Sequence, residues 1–237
     1  MSVAVAVLLL SAVFWIMPDG LRLTPHAVAA PPPLQGYTIA VIADLHAGAS
    51  FIDEGKLDAI VRQTNAANPD LVLLAGDFSG GMQADIIAAH LSRLEARLGV
   101  YAVLGAGDVP QDDEAPMIGP ALEKVGIFVL GPSYIVLGTA RGPVILTGLG
   151  EGRPIRLPPG GTVLCLAAAV PDLANVPARC ALTISGPPHG DQLALPFLRA
   201  APVRRDGGRT LFVSPGIGGA TLSARLDTPE ISLLKIQ

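Results

Sequence analysis

The sequence predicts an α/β sandwich. Short apolar runs recur along the chain and mostly end in Gly or Asp, which is typical of buried strands. These runs are TIAVIAD, DLVLLAGD, VYAVLGAGD, PVILTGLG, TVLCLAAA, CALTISG and TLFVSPG. In the first half of the chain, segments with helical spacing separate the runs, and this alternation is the pattern of a parallel sheet covered by helices. The later half has closely spaced strands and few helical candidates.

Helices are predicted over residues 53–68 and 83–98, with a weaker pattern over residues 115–125. In the first two segments apolar residues recur at the spacing of one helix face, and Asn68-Pro69 ends the first. The recurring positions are Leu57, Ile60, Val61 and Thr64 in the first segment, and Ile86, Ile87, Leu91, Leu94 and Leu98 in the second.

Composition limits the class of partner. The chain has 237 residues, of which 50% are hydrophobic, so it can bury a substantial core. Its formal net charge of -4 provides no basic field for a phosphate backbone, and nucleic acid is not an expected partner. The two cysteines, Cys165 and Cys180, lie in separate apolar runs. We expect buried packing thiols, and a disulfide stays open for an oxidising compartment.

The N-terminal part of the chain differs from the rest. Residues 3–17 are apolar and uncharged, and a less regular connector follows, so we expect a signal or anchor segment with its connector over residues 1–36 and one domain over residues 37–237. The small residues Ala27-Val28-Ala29 fit a cleavage site. Cleaved export and retention as an anchor both stay open, with a buried core helix as a third alternative. Either of the first two places the protein in the cell envelope, anchored in the membrane or exported to the periplasm.

Polar residues follow several of the predicted strands. Asp44 and His46 follow the first strand, Asp77 the second, Asp108 the third, and His189 the strand that begins near Cys180. In a parallel sheet ligands collect at the carboxyl ends of the strands. Two carboxylates and two imidazoles, from Asp44, His46, Asp77 and His189, would form a four-residue site for a divalent ion such as Zn, Mn, Fe or Ni. Singly, each of these residues also fits an ordinary turn.

Several segments together resemble the motifs of the calcineurin-like metallophosphoesterases, particularly their bacterial membrane-associated branch. They are IADLHAG, PDLVLLAGDFSGG, LGVYAVLGAGD, SGPPHGDQLALP and FVSPGIGGATLSARLDTPEISLLKI, and the resemblance spans residues 37–236. It implies a four-layered α/β/β/α sandwich with a dinuclear metal site that hydrolyses phosphate esters. GIGGA within the last segment lacks the helix pattern of a dinucleotide fingerprint, and we interpret it as a turn.

The resemblance carries over to the ligands of one metal. The Asp-x-His motif of the family matches Asp44 and His46, its Gly-Asp motif matches Asp77, and the last His of its Gly-His-x-His motif matches His189. In the family these four residues hold the first metal. The resemblance therefore implies one bound divalent ion.

The ligands of the second metal are missing. The family motif Gly-Asn-His-Asp reads Gly105-Ala106-Gly107-Asp108 here, so Ala106 replaces a ligand and Gly107 replaces the catalytic His. Ala169 and Pro187 stand where the family has two further histidines. Asp108 and Asp191 are the residues that could supply substitute oxygens.

Three interpretations of the site stay open. The first is a divergent hydrolase with one metal, acting on a small phosphoester. The second is an inactive pseudoenzyme that binds a phosphorylated ligand or a protein partner. In the third, no metal binds. His90 is interpreted as a helix residue at the edge of an apolar stripe, and His26 lies in the predicted connector without a functional signal.

Overall fold

Two six-stranded sheets form the core of the protein. The computed structural model describes residues 20–49, 51–109, 118–150, 155–172, 176–187, 202–206, 208–218 and 229–237. The sheets pack face to face through a cluster of buried side chains that includes Val41, Leu73, Leu164 and Phe212. The predicted α/β sandwich is confirmed.

The first sheet contains the three strands predicted in the first half of the chain. Neighbouring strands, in order across the sheet, are β1 (Arg22–Val28), β12 (Glu230–Ile236), β2 (Thr38–Ala43), β3 (Leu71–Ala75), β4 (Val100–Val103) and β5 (Phe128–Val129). Strands β2 to β5 are parallel, β12 is antiparallel to β2, and β1 is parallel to β12. The carboxyl ends of β2, β3 and β4 therefore meet at one edge of this sheet.

The second sheet comes from the later half of the chain. Its strands, in order, are β10 (Val203–Asp206), β11 (Arg209–Val213), β9 (Cys180–Ser185), β8 (Thr162–Ala167), β7 (Gly142–Gly148) and β6 (Tyr134–Thr139). Strands β7, β8, β9 and β11 are parallel, and the two edge strands, β6 and β10, are antiparallel to their neighbours.

Helices α1 (Glu54–Ala66), α2 (Ala84–Leu91) and α3 (Ile118–Lys124) cover the outer face of the first sheet, where Leu57, Ile87 and Leu122 enter its core. The side chain of Asp53 caps α1 by accepting a hydrogen bond from Lys56 N, at 2.8 Å. Helix α2 is shorter than the predicted segment 83–98. The side chain of Asn65 on α1 binds the backbone of Arg93 and Glu95, which holds the chain in a non-helical path.

The outer face of the second sheet carries a small apolar cluster, formed by Ile145, Val163, Val176 and the two cysteines. Within the described part of the chain, the segments over this face contain no α-helix. Cys165 and Cys180 are fully buried and form a disulfide between β8 and β9, with their Cα atoms 5.8 Å apart. The expectation of free packing thiols is therefore wrong, because adjacent parallel strands bring the two cysteines within bonding reach.

Part of the predicted connector is a strand. Residues 22–28 form β1 at the edge of the first sheet, and Val28 is fully buried between the sheets. Pro25 and the polar residues around it obscured this strand in the sequence, but an edge strand tolerates proline because one side of it has no partner. No helix in the described residues is long and apolar enough to cross a bilayer, and residues 3–17 lie outside that part.

We predict that the disulfide contributes strongly to stability. It closes a loop with a sequence separation of 15 residues, for which loss of chain entropy in the unfolded state corresponds to about 3 kcal/mol. The double variant Cys165→Ala/Cys180→Ala should lose about that free energy of unfolding in denaturant titrations. The matched control is the unchanged protein measured with reductant, and equal stability with and without reductant would contradict the prediction.

Candidate metal centre

Three polar side chains meet at the carboxyl edge of the first sheet. Asp44 and His46 follow β2, and Asp77 follows β3, its parallel neighbour. Each of these residues offers one ligand atom, and the three atoms all lie within 4.8 Å of one another. Asp44 and Asp77 are 5% and 4% exposed, whereas His46 is half-buried. Of the predicted ligands, these three are brought together.

The backbone at this edge adopts conformations that side chains rarely allow. Asp44, His46 and Asp77 have φ values of 50°, 43° and 48°. Left-handed backbone in a residue other than glycine costs free energy and persists where the surroundings impose it. Here the segments after β2 and β3 hold each other: His46 N donates to Asp77 O and Ala47 N donates to Phe78 O, both at 2.8 Å. This pairing places the imidazole of His46 beside the two carboxylates.

The carboxylates repel one another. Burial, followed by the nearby negative charges of Asp77 and Asp108, raises the pKa of Asp44 to about 8. Burial also raises the pKa of Asp108 above its ordinary value. A divalent cation between Asp44 and Asp77 would offset both the desolvation and the repulsion. The electrostatics of this edge thus favour a cation.

Asp108 supports the site from behind. It is 1% exposed, and its two carboxylate oxygens accept hydrogen bonds from Phe78 N and Gly105 N, each at 2.8 Å. These bonds tie the segment after β4 to the segment after β3. Because both oxygens bind backbone, Asp108 is a brace in this structure, and the expectation that it supplies substitute oxygens for a metal is not supported.

A glycine turn lies directly against Asp77. Residues Ala106–Asp108 form a short 3-10 helix, and Gly107 N donates to Asp77 Oδ1 at 3.0 Å. A Cβ atom at Gly105 would lie 2.3 Å from Asp77 Oδ1, which is closer than atoms can approach, and one at Gly107 would lie 3.1 Å away. At Gly105 the chain can follow this path only without a side chain, whereas a side chain at Gly107 would require Asp77 to shift by a few tenths of an ångström. At Gly107, where the family has its catalytic His, the backbone itself contacts Asp77.

The second sheet contributes to the same edge. A Cβ at Gly186 would lie 2.1 Å from Ala168 O and 3.2 Å from Ala75 O, so the ends of β3, β8 and β9 converge. Pro187 and Asp44 both lie beside Gly216, since a Cβ at Gly216 would be 3.4 Å from Pro187 Cγ and 3.3 Å from Asp44 Cβ. Pro187 therefore borders the candidate site.

Two further positions named from the sequence, Ala169 and His189, provide little information on the site. Ala169 is partly exposed and lies just beyond the end of β8. His189 lies outside the described residues, so its role as a fourth ligand stays a prediction.

The segment around Gly216, interpreted from the sequence as a plain turn, packs against the backbone of the candidate site. Ile217 N donates to Ala43 O and Gly218 N to Asp44 O, both at 2.8 Å. Gly216 itself has a φ of 85°. The conformation of Asp44 thus depends on residues more than 170 positions away in sequence, and apart from the family resemblance no local pattern indicated this.

A polar network supports that segment. His26 Nε2 lies 2.8 Å from Glu230 Oε1, and Ser232 Oγ donates to the same oxygen at 2.7 Å. Ser214 Oγ lies 3.2 Å from Ser232 Oγ and joins the two sheets. The sequence did not indicate this role of His26, because β1 was not predicted.

His90 is a helix residue, as predicted. Its ring contacts carboxylates of α1, Asp58 at 2.8 Å and Glu54 at 3.1 Å, and it links α2 to α1 at the surface.

Comparisons with known proteins support membership of the calcineurin-like metallophosphoesterase family. Residues 37–138 match the family model described as Calcineurin-like phosphoesterase. The chain is 32% identical over 78 residues to a Bos taurus protein named "Transmembrane protein with metallophosphoesterase domain", and the match covers 32% of this chain and 17% of that protein. A Danio rerio protein of the same name is 31% identical over 80 residues, covering 33% of this chain and 18% of that protein. The chain thus spans less than a fifth of the length of these relatives.

Two solved structures are similar over most of the chain. One is the crystal structure of TT1561 of Thermus thermophilus, with a TM-score of 0.48 and 18% identity, covering 77% of this chain and 90% of that one. The other, described as a novel archaeal phosphodiesterase, has a TM-score of 0.42 and 15% identity, covering 76% of this chain and 83% of that one.

We predict a pH-dependent stability of the metal-free protein. The pKa of Asp44 is about 8 in the folded state, against an ordinary value of 3.8, so the folded protein holds this proton more tightly than the unfolded chain. The stability contributed by neutral Asp44 is complete below about pH 4 and is lost as the pH rises through about 8. The melting temperature should fall over this range by several degrees more in the unchanged protein than in Asp44→Asn. Parallel pH profiles of the two proteins would contradict the prediction.

We also predict that Gly105→Ala weakens metal binding. The new Cβ would collide with Asp77 Oδ1 and displace that carboxylate, although the φ of Gly105, -87°, allows alanine. Displacing a supported ligand should lower metal affinity about 10- to 100-fold, as measured by calorimetric titration. The matched control is Gly138→Ala, where a Cβ meets no atom within 4 Å. Unchanged affinity in Gly105→Ala would show that the close contact is not needed.

Proposed function

We infer that this chain, which contains a calcineurin-like metallophosphoesterase domain, is a phosphoester hydrolase that works with a single divalent metal ion. The observation that carries this inference is the group formed by Asp44, His46 and Asp77, whose ligand atoms lie within 4.8 Å of one another. The left-handed backbone at all three residues supports it, because such strain is typically kept at functional sites.

The donor set fits a divalent transition metal. Two carboxylate oxygens neutralise the charge of the ion, and an imidazole nitrogen suits Zn, Mn, Fe or Ni better than Ca or Mg. The two carboxyl groups are buried and close together, so in the absence of a cation Asp44 keeps its proton up to a pKa of about 8. We propose His189 as the fourth ligand, on the family resemblance.

A single ion is the expected occupancy. Asp77 Oδ1 already accepts a hydrogen bond from Gly107 N, and the partial positive charge of that N–H dipole faces the carboxylate on the side of the glycine turn. Ala106, Ala169 and Pro187 have no side-chain donor atoms for a second ion. The turn around Gly107 therefore compensates in part for the second metal of the family.

The chemistry follows from what these residues can do. When bound, a divalent ion supplies Lewis acidity to a phosphoryl oxygen and to water. Asp44, His46 and Asp77 would hold the ion, and Gly107 N would keep the carboxylate of Asp77 in place. Gly107 cannot donate a side-chain proton to a leaving group, and loss of a general acid costs about 10²- to 10⁴-fold in rate. Hydrolysis should thus be confined to esters with good leaving groups.

A second candidate function is supported by the same turn. Ala106 and Gly107 are exposed at the candidate site, and neither can protonate a leaving group. A pseudoenzyme that binds a phosphorylated ligand or a protein partner would keep the metal and the fold without turnover.

The location we propose is an oxidising compartment of the cell envelope. The Cys165–Cys180 disulfide is typical of such compartments. The apolar residues 3–17 are consistent with this location.

We predict about one equivalent of transition metal in the purified protein, by elemental analysis, and slow hydrolysis of an aryl phosphodiester. Asp77→Asn should lose the metal and at least about 100-fold in rate, because Asp77 is a ligand at the buried centre of the site. The matched control, Asp58→Asn, removes a surface carboxylate on α1 and should change neither quantity. Metal without hydrolysis would favour the pseudoenzyme, and absence of metal would contradict both candidates.

A further inference from the structure

The N-terminal strand begins at the edge of the sheet that carries the metal centre. Arg22, the first residue of β1, pairs with Glu230, the first residue of β12. Glu230 N in turn donates to Gly216 O at 3.0 Å, and Gly216 lies against Asp44. Arg22 is therefore level with the metal centre and two strands from β2, a distance of about 10 Å.

The apolar N-terminal run is close to this point in sequence. It ends at Met17, and only Pro18, Asp19, Gly20 and Leu21 separate it from Arg22. Even when fully extended, the chain from Met17 to Arg22 spans at most about 18 Å. The apolar run is therefore tethered within about 18 Å of the start of β1, at the edge that carries Asp44.

The structure also bears on whether residues 3–17 are retained. Cleavage after Ala27-Val28-Ala29 would remove all of β1, with its seven residue pairs to β12, and would take away Val28, which is fully buried in the inter-sheet core. It would also remove His26, which contacts Glu230 and stacks edge-on against Phe212. The strand is built into the fold, which argues against cleavage at Ala27-Val28-Ala29.

The edge around the metal centre has surface features that suit a bilayer interface. Val109 follows Asp108 and is 52% exposed. Tyr134 begins β6 at the same edge, opposite Thr147 near the end of β7, and is 41% exposed. Tyr is favoured at membrane interfaces because its ring is apolar and its hydroxyl is polar. Arg22, exposed beside the anchor, can reach anionic headgroups.

We propose that the apolar run anchors the domain so that the metal centre faces the membrane. We propose further that the metal centre binds a phosphoester carried at the membrane surface. The second part rests on the proposed function, since it assigns a substrate class to the same metal site. The chemistry recognised is a phosphate group, whether it belongs to a lipid headgroup or to a soluble ester, and the lipid is the source that this orientation favours.

The orientation can be tested without any activity. Gln83→Cys places a label at the start of α2, near the metal-centre edge, and Ala66→Cys places one at the end of α1, at the opposite edge. Both positions are exposed, and the native cysteines are disulfide-bonded and do not react. Helix α1 runs from one edge of the sheet to the other, so its length places the two labels about 20 Å apart along the strand direction. In full-length protein reconstituted into vesicles containing an acceptor-labelled lipid, energy transfer should be stronger from residue 83. Equal transfer, stronger transfer from residue 66, or failure to bind vesicles would overturn the proposal.

The ligand class is tested with the same full-length protein in vesicles of digalactosyl diacylglycerol, which contain no phosphate. Adding phosphatidylglycerol or phosphatidic acid to these vesicles should slow hydrolysis of a soluble aryl phosphodiester, whereas equal concentrations of glycerophosphoglycerol or glycerol phosphate should slow it far less. A flexible insert of about 12 residues between Asp19 and Gly20, spanning about 20 Å, should weaken the lipid effect several-fold and leave the basal rate unchanged.

Equal effects of lipid and soluble esters, or no effect of either, would overturn the ligand class. If the aryl phosphodiester is not hydrolysed at all, the proposed hydrolase fails, while the energy-transfer result still decides the orientation.

Discussion

The burial of three neighbouring carboxyl groups determines the electrostatics of the sheet edge at which the candidate metal site lies. Asp44, Asp77 and Asp108 are each at most 5% exposed there, and the pKa of Asp44 rises to about 8 as a result. Backbone N–H groups satisfy both oxygens of Asp108 and one oxygen of Asp77. Left-handed backbone at Asp44, His46 and Asp77 holds the remaining ligand atoms together. Without a cation, burying these carboxyl groups beside one another costs free energy of folding. A bound divalent ion would offset that cost.

Much of the fold, and the position of the site, could be predicted from sequence. Strands β2, β3 and β4 are buried on both faces, so they are continuous apolar runs, and helix α1 presents a regular apolar face to them. Because parallel strands end at one edge, Asp44, His46 and Asp77 were expected to meet there, and they do. The sequence indicated their role because each lies within three residues of the end of its strand.

The rest depends on contacts between distant segments, which local patterns do not encode. Strand β1 contains Pro25 and polar residues, which an edge strand tolerates, so it was mistaken for a connector. The disulfide depends on the adjacency of β8 and β9, which spacing in sequence does not reveal. Likewise, Gly107 was interpreted only as the loss of a catalytic His, whereas in the structure Gly105 and Gly107 let the backbone approach Asp77. Asp108 proved to be a brace because both of its oxygens bind backbone N–H groups.

The function inferred for this protein requires one divalent ion bound between Asp44, His46 and Asp77. The most direct measurement is a crystal structure of the protein grown with Zn or Mn, with anomalous diffraction recorded at the absorption edge of the metal. We expect a single anomalous peak within about 2.0–2.2 Å of a carboxylate oxygen of Asp44, a carboxylate oxygen of Asp77 and a ring nitrogen of His46. No peak at these residues, or a second peak on the side of Asp77 that faces Gly107, would contradict a single-metal site.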